Sequence, residues 1–217
     1  MKKRMLHQFL AGALLMFVAA QLQAATEEQI AKVIKQVNDI RFMEGQFVQQ
    51  KKITGIDYPL KSQGQFMFWK GQGLYLATEK PFFNAMTITG SGMIVWQADG
   101  TAALAQEQSG IIQREVNKTL LAFFSADIAA IEQRFNVEWG FDKEQWQLSL
   151  TPKLDVIQKN MRVAIIRGRQ FMNELSVIGA NGDQTDLSFS GQQQSAQPTA
   201  IQCHKFYLPA QDLCNKL

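Results

Sequence analysis

Histidine and cysteine, two residues that often carry chemistry, are scarce here: the 217-residue chain contains two of each. His7 lies in an N-terminal apolar segment, so His204 is the one histidine downstream of it. A Ser-His-Asp triad, a Cys-His pair or a zinc site with several histidine ligands would have to use that residue. No glycine-rich nucleotide loop or G-x-S-x-G motif occurs either. The sequence therefore predicts a binding protein, not an enzyme, with no catalytic residue, cofactor or metal.

An excess of positive charge is also absent from most of the chain. The formal net charge is +3, and Lys2, Lys3 and Arg4 supply it before the first acidic residue, Glu27. Downstream of Ala24, 19 Lys and Arg residues face 19 Asp and Glu residues. Binding to nucleic acid requires clustered basic side chains that neutralise phosphates. We therefore expect no nucleic-acid partner.

The N-terminus has the pattern of a secretory signal peptide. The basic start precedes an apolar run over residues 9–20, and small residues follow up to Ala24. Twelve apolar residues are too few for a helix that crosses about 30 Å of hydrocarbon. No cysteine follows the run, which excludes lipid attachment at a new N-terminal cysteine. We predict a signal peptide over residues 1–24 and one exported domain over residues 25–217.

Both cysteines lie near the C-terminus, with ten residues between them. In an oxidising compartment, an isolated pair at this spacing favours a disulfide over a metal site. A bond between Cys203 and Cys214 would close the tail, residues 201–217, into a small loop. Two unpaired thiols remain the alternative.

Two helical segments are predicted among many strands. Thr26 and Gln29 form a capping box, and apolar residues follow at helical spacing up to residue 40. Asn117 is a candidate cap for a second helical segment, which restarts at residues 125–127 and continues through Ile128 and Ile131 to Phe135. Polar residues 192–198 predict a loop. Alternating or apolar runs predict strands at residues 45–53, 63–69, 74–78, 82–89, 93–97, 135–140, 145–151, 161–167, 171–178 and 185–190.

Short connections between these strands exclude the crossover helices that a parallel sheet requires. The fold class is therefore α+β and mainly β: a strongly curved antiparallel sheet of about ten or eleven strands, whose open side the second helical segment could plug. Downstream of Ala24 the chain has 13 Phe, 4 Trp and 6 Met residues. Two interpretations remain open for them: a well-filled core, or an adaptable lining for a lipid, because Met makes soft contacts.

The order of short motifs resembles the outer-membrane lipoprotein carrier family, LolA. Residues 44–50 read EGQFVQQ, residues 64–66 read GQF, Trp69-Lys70 and Leu74-Tyr75 follow, and then Pro81. The resemblance covers about residues 30–191 and includes the helical insertion and the late strand that ends at Phe189. It implies an incomplete, open antiparallel barrel of about eleven strands covered by a helical lid. The protein would lie in the Gram-negative periplasm, and the hydrophobic cavity of the barrel would receive the acyl chains of lipoproteins or a related lipid.

On this basis, we predict the residues that line the cavity and those that form the lid. The lid candidates are Leu120, Leu121, Phe123, Phe124 and Ile128. The cavity candidates are Phe47, Phe66, Phe68, Trp69, Tyr75, Leu76, Phe83, Met86, Ile88, Met93, Val95 and Trp96.

The resemblance also implies a monomer that receives cargo from an inner-membrane complex and delivers it to an outer-membrane acceptor. Carriers of the family have an Arg before a turn proline, where it hydrogen-bonds the lid, and this chain has Gly71 there. We therefore expect apolar contact between residues 120–124 and the barrel mouth, assisted by Lys70, to close the lid. Two other functions remain open on this fold: a periplasmic sensor with a regulatory partner and, against the scarcity of histidine, an enzyme for a lipid-like substrate.

Overall fold

The computed structural model describes residues 23–24, 26–105, 111–208 and 214. Most of the predicted signal peptide, residues 1–22, and Ala25 lie outside the described residues. The helices are α1 (Glu27–Asn38), α2 (Ile111–Ser125), α3 (Ile128–Glu132), α4 (Asp155–Gln158) and α5 (Ala200–Cys203). The strands are β1 (Gln23–Ala24), β2 (Phe42–Lys52), β3 (Leu60–Trp69), β4 (Gly73–Lys80), β5 (Asn84–Ile88), β6 (Met93–Trp96), β7 (Ala102–Leu104), β8 (Phe135–Asp142), β9 (Gln145–Pro152), β10 (Met161–Gly168), β11 (Met172–Gly179) and β12 (Gln184–Ser195).

All strands belong to one antiparallel sheet, in the order β1-β8-β9-β10-β11-β12-β2-β3-β4-β5-β6-β7. Within the described residues, the outermost strands β1 and β7 do not pair with each other, so the sheet is curved but not closed. The predicted open barrel is thus confirmed. The two-residue β1 is the twelfth strand, and cleavage after Ala24 would remove it and leave eleven.

Local sequence signals account for several elements. The Thr26 side chain accepts a hydrogen bond from the Gln29 backbone N–H, and the Gln29 side chain accepts one from the Thr26 backbone N–H, which completes the capping box of α1. Asp127 accepts a hydrogen bond from Ala130 N–H and caps α3, so the predicted restart of the helix is confirmed. In β9, alternate residues are buried, as its apolar and polar alternation predicts.

Four predictions about elements were wrong or incomplete. Asn117 lies inside α2 and not at its cap. The first half of the predicted loop 192–198 belongs to β12, which pairs with β2 as far as Ser195 opposite Phe42. Residues 82 and 83 precede β5, in the turn after β4. The short elements β7, α4 and α5 were not predicted, because three or four residues carry too little periodicity to show a period.

The sheet has two apolar faces, and each carries its own core. On the concave face, residues from β2–β4 and β8–β12 pack against α1, α2 and α3. The main buried members of this core are Met43, Phe47, Phe66, Phe68, Leu74, Phe123, Phe124, Ile131, Phe135, Leu148, Leu150, Ile166, Leu175 and Phe189. On the convex face of β2–β6, a second core contains Phe42, Met67, Tyr75, Ala77, Ala85, Ile94, Trp96 and Phe206.

The C-terminal tail covers the convex core. The Phe206 ring contacts Trp69 at 5.5 Å and Phe42 at 6.4 Å between ring centroids. Thr87 Oγ1 donates a hydrogen bond to the Lys205 carbonyl, and the Lys205 ammonium lies 5.2 Å from the Trp96 ring centre. The tail therefore packs as part of the domain.

The predicted disulfide between Cys203 and Cys214 is present, and both residues are fully buried. A disulfide fits an oxidising compartment. Residues 209–213, which the bond encloses, lie outside the described residues.

Replacing Phe206 with Ala should expose the convex core. Phe206 is 2% exposed, so Phe206→Ala should lower the free energy of unfolding by about 3 kcal/mol, the usual cost of truncating a buried Phe. Ile201 on the same tail is 79% exposed, and Ile201→Ala should change it by less than about 0.5 kcal/mol. Urea denaturation of both variants measures the difference, and equal stabilities would show that the tail does not cover the sheet.

Candidate functional site

Aromatic side chains fix α2 to the concave face of the sheet. Phe124, at the end of α2, lies with its ring centroid 5.7 Å from Phe66, 5.8 Å from Phe68 and 5.8 Å from Phe189. Phe123 points elsewhere and contacts Phe135 at 6.1 Å. The three rings around Phe124 bury the C-terminal turn of α2 at the centre of the sheet, so this turn is its fixed point.

An apolar cavity of about 300 Å³ lies between α2, α4 and the half of the sheet made by β8 and β10–β12. Its walls are mostly aliphatic and aromatic, and a few polar groups stand among them. The residues that line it are Glu115, Thr119, Leu120, Phe123, Phe135, Val156, Ile157, Asn160, Met161, Leu175, Val177 and Thr185. A concave apolar space with a few polar groups is the usual form of a ligand site.

One ion pair connects α2 to the chain beyond α3. Arg134 Nε donates to Glu115 Oε2 at 2.9 Å, and their side chains are only 15% and 17% exposed. Lys118 pairs with the other Glu115 oxygen at 3.0 Å. These hydrogen bonds hold the pKa of the Glu115 carboxyl below its usual value, with Lys118 the largest cause and Arg134 the next donor. Glu115 also lines the cavity, so the pair closes its edge.

A second hollow, of about 340 Å³, lies on the opposite side of α2. It is bounded by the β5–β6 turn, residues 89–92, and by the end of β7. The side chains that α2 contributes are Arg114, Asn117, Lys118 and Leu121. The helix is therefore a wall between two hollows, and displacement of α2 would join them.

Lys70 and Gly71 contribute differently from the expectation. Lys70 Nζ donates to the Asn38 backbone carbonyl and lies 3.4 Å from Asn38 Oδ1, at the end of α1. Lys70 thus binds α1 and not the lid segment. The predicted assistance from Lys70 in closing the lid is therefore wrong. A polar contact to α2 comes instead from the Glu115–Arg134 pair. Gly71 has a positive φ of 79°, which suits the turn between β3 and β4.

The structure divides the predicted cavity residues between the two faces of the sheet. Three of them, Trp69, Tyr75 and Trp96, lie on the convex face in or against the core under the tail, and Phe83 lies in an exposed turn. The other eight lie on the concave face, by burial or by pairing with concave residues: Phe47, Phe66, Phe68, Leu76, Met86, Ile88, Met93 and Val95.

None of these twelve residues lines the 300 Å³ cavity, although Met93 lines the second hollow. The lid candidates Leu120 and Phe123 do line the cavity, and Leu121 lines the second hollow. Phe124 and Ile128 pack into the concave core. Sequence reasoning missed the walls made by Leu175, Val177 and Met161. In β10 and β11 neighbouring residues are apolar on both sides and the pairing contains register shifts, so their sequences do not indicate which residues face the cavity.

Two other depressions lie on the outside of the domain. One, of about 440 Å³, runs over the convex side between Glu44, Gln65, Glu79 and Gln193, and its lining is mainly polar. The other, of about 610 Å³, lies between Leu208 and residues 99–104 and is open to solvent. Neither is enclosed by helices, so the cavity beneath α2 is the better candidate for an apolar ligand.

In the part of the chain that the structure describes, no three His, Cys, Asp or Glu residues are grouped so that they could hold a metal ion. No helix among the same residues has both the length and the apolar character to cross a membrane.

The sequence profile of the family described as outer membrane lipoprotein carrier protein LolA matches residues 38–203. No curated protein sequence matches the chain. A LolA superfamily protein from Nitrosomonas europaea is 10% identical with a TM-score of 0.43, and the match covers 79% of this chain and 96% of that one. A DUF1329 family protein from Desulfovibrio piger is 10% identical with a TM-score of 0.43, covering 81% and 94%. The MucA/MucB complex of Pseudomonas aeruginosa contains a chain that is 10% identical with a TM-score of 0.46, covering 80% and 58%.

Glu115→Gln should remove the ion pair but keep the shape of the side chain. Because the pKa of Glu115 is lowered by folding, its charge stabilises the native state above its ordinary pKa near 4.5, and this contribution disappears as the pH falls through the folded value. Glu115→Gln should therefore be less stable than the native chain by about 1 kcal/mol at neutral pH. Below about pH 4.5 the gap should close. Urea unfolding across this pH range measures the difference in stability between Glu115→Gln and the native chain.

The matched control is Glu138→Gln. Glu138 is an exposed residue of β8 that has no ion pair within the described part of the chain. Its substitution should change stability little at any of these pH values. A pH-independent gap for Glu115→Gln would contradict the assignment of the ion pair.

Proposed function

Because the chain belongs to the outer membrane lipoprotein carrier protein LolA family, we propose that it is a periplasmic carrier for the acyl chains of a lipoprotein or a related lipid. The observation that carries the proposal is the apolar cavity beneath α2, on the concave face of an open barrel. The carrier would take its cargo from an inner-membrane donor complex to an outer-membrane acceptor, as a monomer and without a cofactor.

Hydrophobic transfer supplies the binding energy in this proposal. Each buried methylene contributes about 0.8 kcal/mol, so even a partly buried acyl chain binds strongly. The walls made by Leu175, Val177 and Phe123 offer such a surface. The Glu115, Asn160 and Thr185 side chains among these walls would suit the polar end of the chain.

Loading requires movement of α2. The cavity of about 300 Å³ lies at the small end of the usual range for ligand pockets, roughly 300–1,000 Å³. Joining it with the hollow of about 340 Å³ on the other side of α2 would provide a longer space. The Glu115–Arg134 pair opposes that displacement, whereas the turn at Phe124 holds the helix to the sheet. We propose that α2 pivots at Phe124 to admit cargo.

The compartment belongs to the same proposal. Periplasmic export accounts for the N-terminal pattern of basic and apolar residues, and it supplies the oxidising conditions that a structural disulfide needs. The Cys203–Cys214 bond is consistent with that location.

Val177→Trp tests the cavity directly, because the larger ring would occupy space that an acyl chain needs. Loss of room for two methylenes would cost about 1.6 kcal/mol, which corresponds to a roughly tenfold higher Kd for a fluorescent fatty acid. Displacement of the probe by unlabelled palmitate checks that the site is specific.

Ile178→Trp is the matched control, because Ile178 is the next residue of β11 and faces the opposite side of the sheet. It should leave the Kd unchanged. Native mass spectrometry of protein isolated from the periplasm identifies the cargo: bound lipid or lipoprotein supports a carrier. A stoichiometric signalling protein with no lipid, or no probe binding by the native chain, would contradict the carrier function.

A further inference from the structure

Two hairpin tips lie side by side at one end of the barrel. Residues 53–59 connect β2 to β3, and residues 81–83 connect β4 to β5. In the pairing of β3 with β4, Lys80 stands opposite Gln63, only three residues from Leu60. Three residues of a strand span about 10 Å, so the two turns are neighbours. We call residues 53–60 and 81–83 together the apolar tip.

Large apolar side chains of the tip face solvent. Tyr58 is 82% exposed and Phe82 is 81% exposed, and neither belongs to either core. Ile56, Leu60 and Phe83 are exposed as well. Five such side chains on two adjacent turns form a cluster, and a clustered apolar surface marks an interaction site more often than scattered apolar residues do.

The tip lies on the same face of the sheet as one wall of the cavity. Val177 and Thr185 line the cavity and pair with each other across β11 and β12. Thr185 pairs with Lys51 of β2, and Lys51 pairs with Leu60. Directly opposed residues share a face, and neighbouring strands are about 4.8 Å apart. Leu60 therefore lies about 10 Å from the cavity wall, on the same concave surface.

Positive charge surrounds the tip. Lys52, Lys61 and Lys80 are exposed. In the part of the chain that the structure describes, no carboxylate is within 4.0 Å of these ammonium groups. Three carboxylates lie in or beside the tip: Asp57; Glu79, which accepts a hydrogen bond from Gln65 Nε2 at 2.9 Å; and Asp183, which accepts one from the Thr54 N–H at 3.0 Å. Lys52, Lys61 and Lys80 still frame the exposed apolar side chains.

We propose that the apolar tip docks on the surface of an anionic phospholipid bilayer. Tyr58 and Phe82 enter the interfacial layer, where amphipathic and aromatic rings are favoured, and the lysines contact lipid phosphates. This orientation brings the cavity wall that contains Val177 and Thr185 close to the bilayer. The inference goes beyond the carrier function and needs no occupant in the cavity.

Charge complementarity favours a bilayer over a second copy of the chain. Two copies joined through this tip would bring like charges together, because each contributes Lys52, Lys61 and Lys80. An anionic lipid surface pairs with the same lysines and receives the apolar side chains at a different depth.

Vesicle flotation of the mature chain tests the proposal. We expect binding to vesicles of phosphatidylethanolamine and phosphatidylglycerol, weaker binding in high salt, and little binding to phosphatidylcholine. The double variant Tyr58→Ser/Phe82→Ser should partition at least about tenfold more weakly, because two large apolar side chains are lost. The triple variant Lys52→Gln/Lys61→Gln/Lys80→Gln should lose the preference for anionic lipid.

Matched controls lie away from the tip. Ile201→Ser removes an exposed apolar side chain from α5, and Lys32→Gln/Lys35→Gln removes two exposed lysines from α1; both should bind as the native chain does. Circular dichroism melting confirms that the variants fold. Absence of vesicle binding, equal binding by the serine variant, or a concentration-dependent dimer that this variant abolishes would overturn the proposal. Val177→Trp should still bind vesicles, so failure of the cavity and failure of the tip are distinguishable.

Discussion

The need to bury two apolar faces of one sheet is the constraint on which the rest of the structure depends. In strands β3–β6, neighbouring residues are apolar on both sides, as Met67 and Phe68 illustrate. A curved antiparallel sheet normally covers one such face and leaves the other wet. Here helices cover the concave face, and the disulfide-closed tail covers the convex one. Because the tail covers the convex core, α1, α2 and α3 pack against the concave face.

That division explains what could be predicted from the sequence. Alternation and capping residues indicated the strands, α1 and the restart at Asp127, because these signals are local. Assignment to a face was harder, since a shift of one residue moves a side chain to the other side of the sheet. Trp69, Tyr75 and Trp96 were therefore grouped with Phe66 and Phe68, although they meet the tail. The residues that neighbour Phe206 in the sequence do not indicate that its ring packs against Trp69.

The same limit applies to the cavity and to β12. Gln193 and Gln194 resemble loop residues in composition, yet their backbones pair with Glu44 and Met43 of β2. The cavity exists where α2 and α4 leave space over β10 and β11, and a space is a property of packing that no single residue encodes. The composition predicted an apolar interior, but it could not show where in that interior a cavity would remain.

Polar and apolar contacts hold different parts of α2 in place. The rings around Phe124 lose contact area if the turn moves, and this loss is shared among three partners. Loss of the Glu115–Arg134 pair should cost about 1 kcal/mol, whereas loss of a buried Phe ring costs about 3 kcal/mol or more. The helix is therefore held strongly at its C-terminal turn and weakly near Glu115. Because Glu115 stands at the cavity whose wall continues to Leu60, the weakly held part of α2 faces the end of the barrel that carries the apolar tip. Opening of the cavity and docking of the domain thus concern the same end of the molecule.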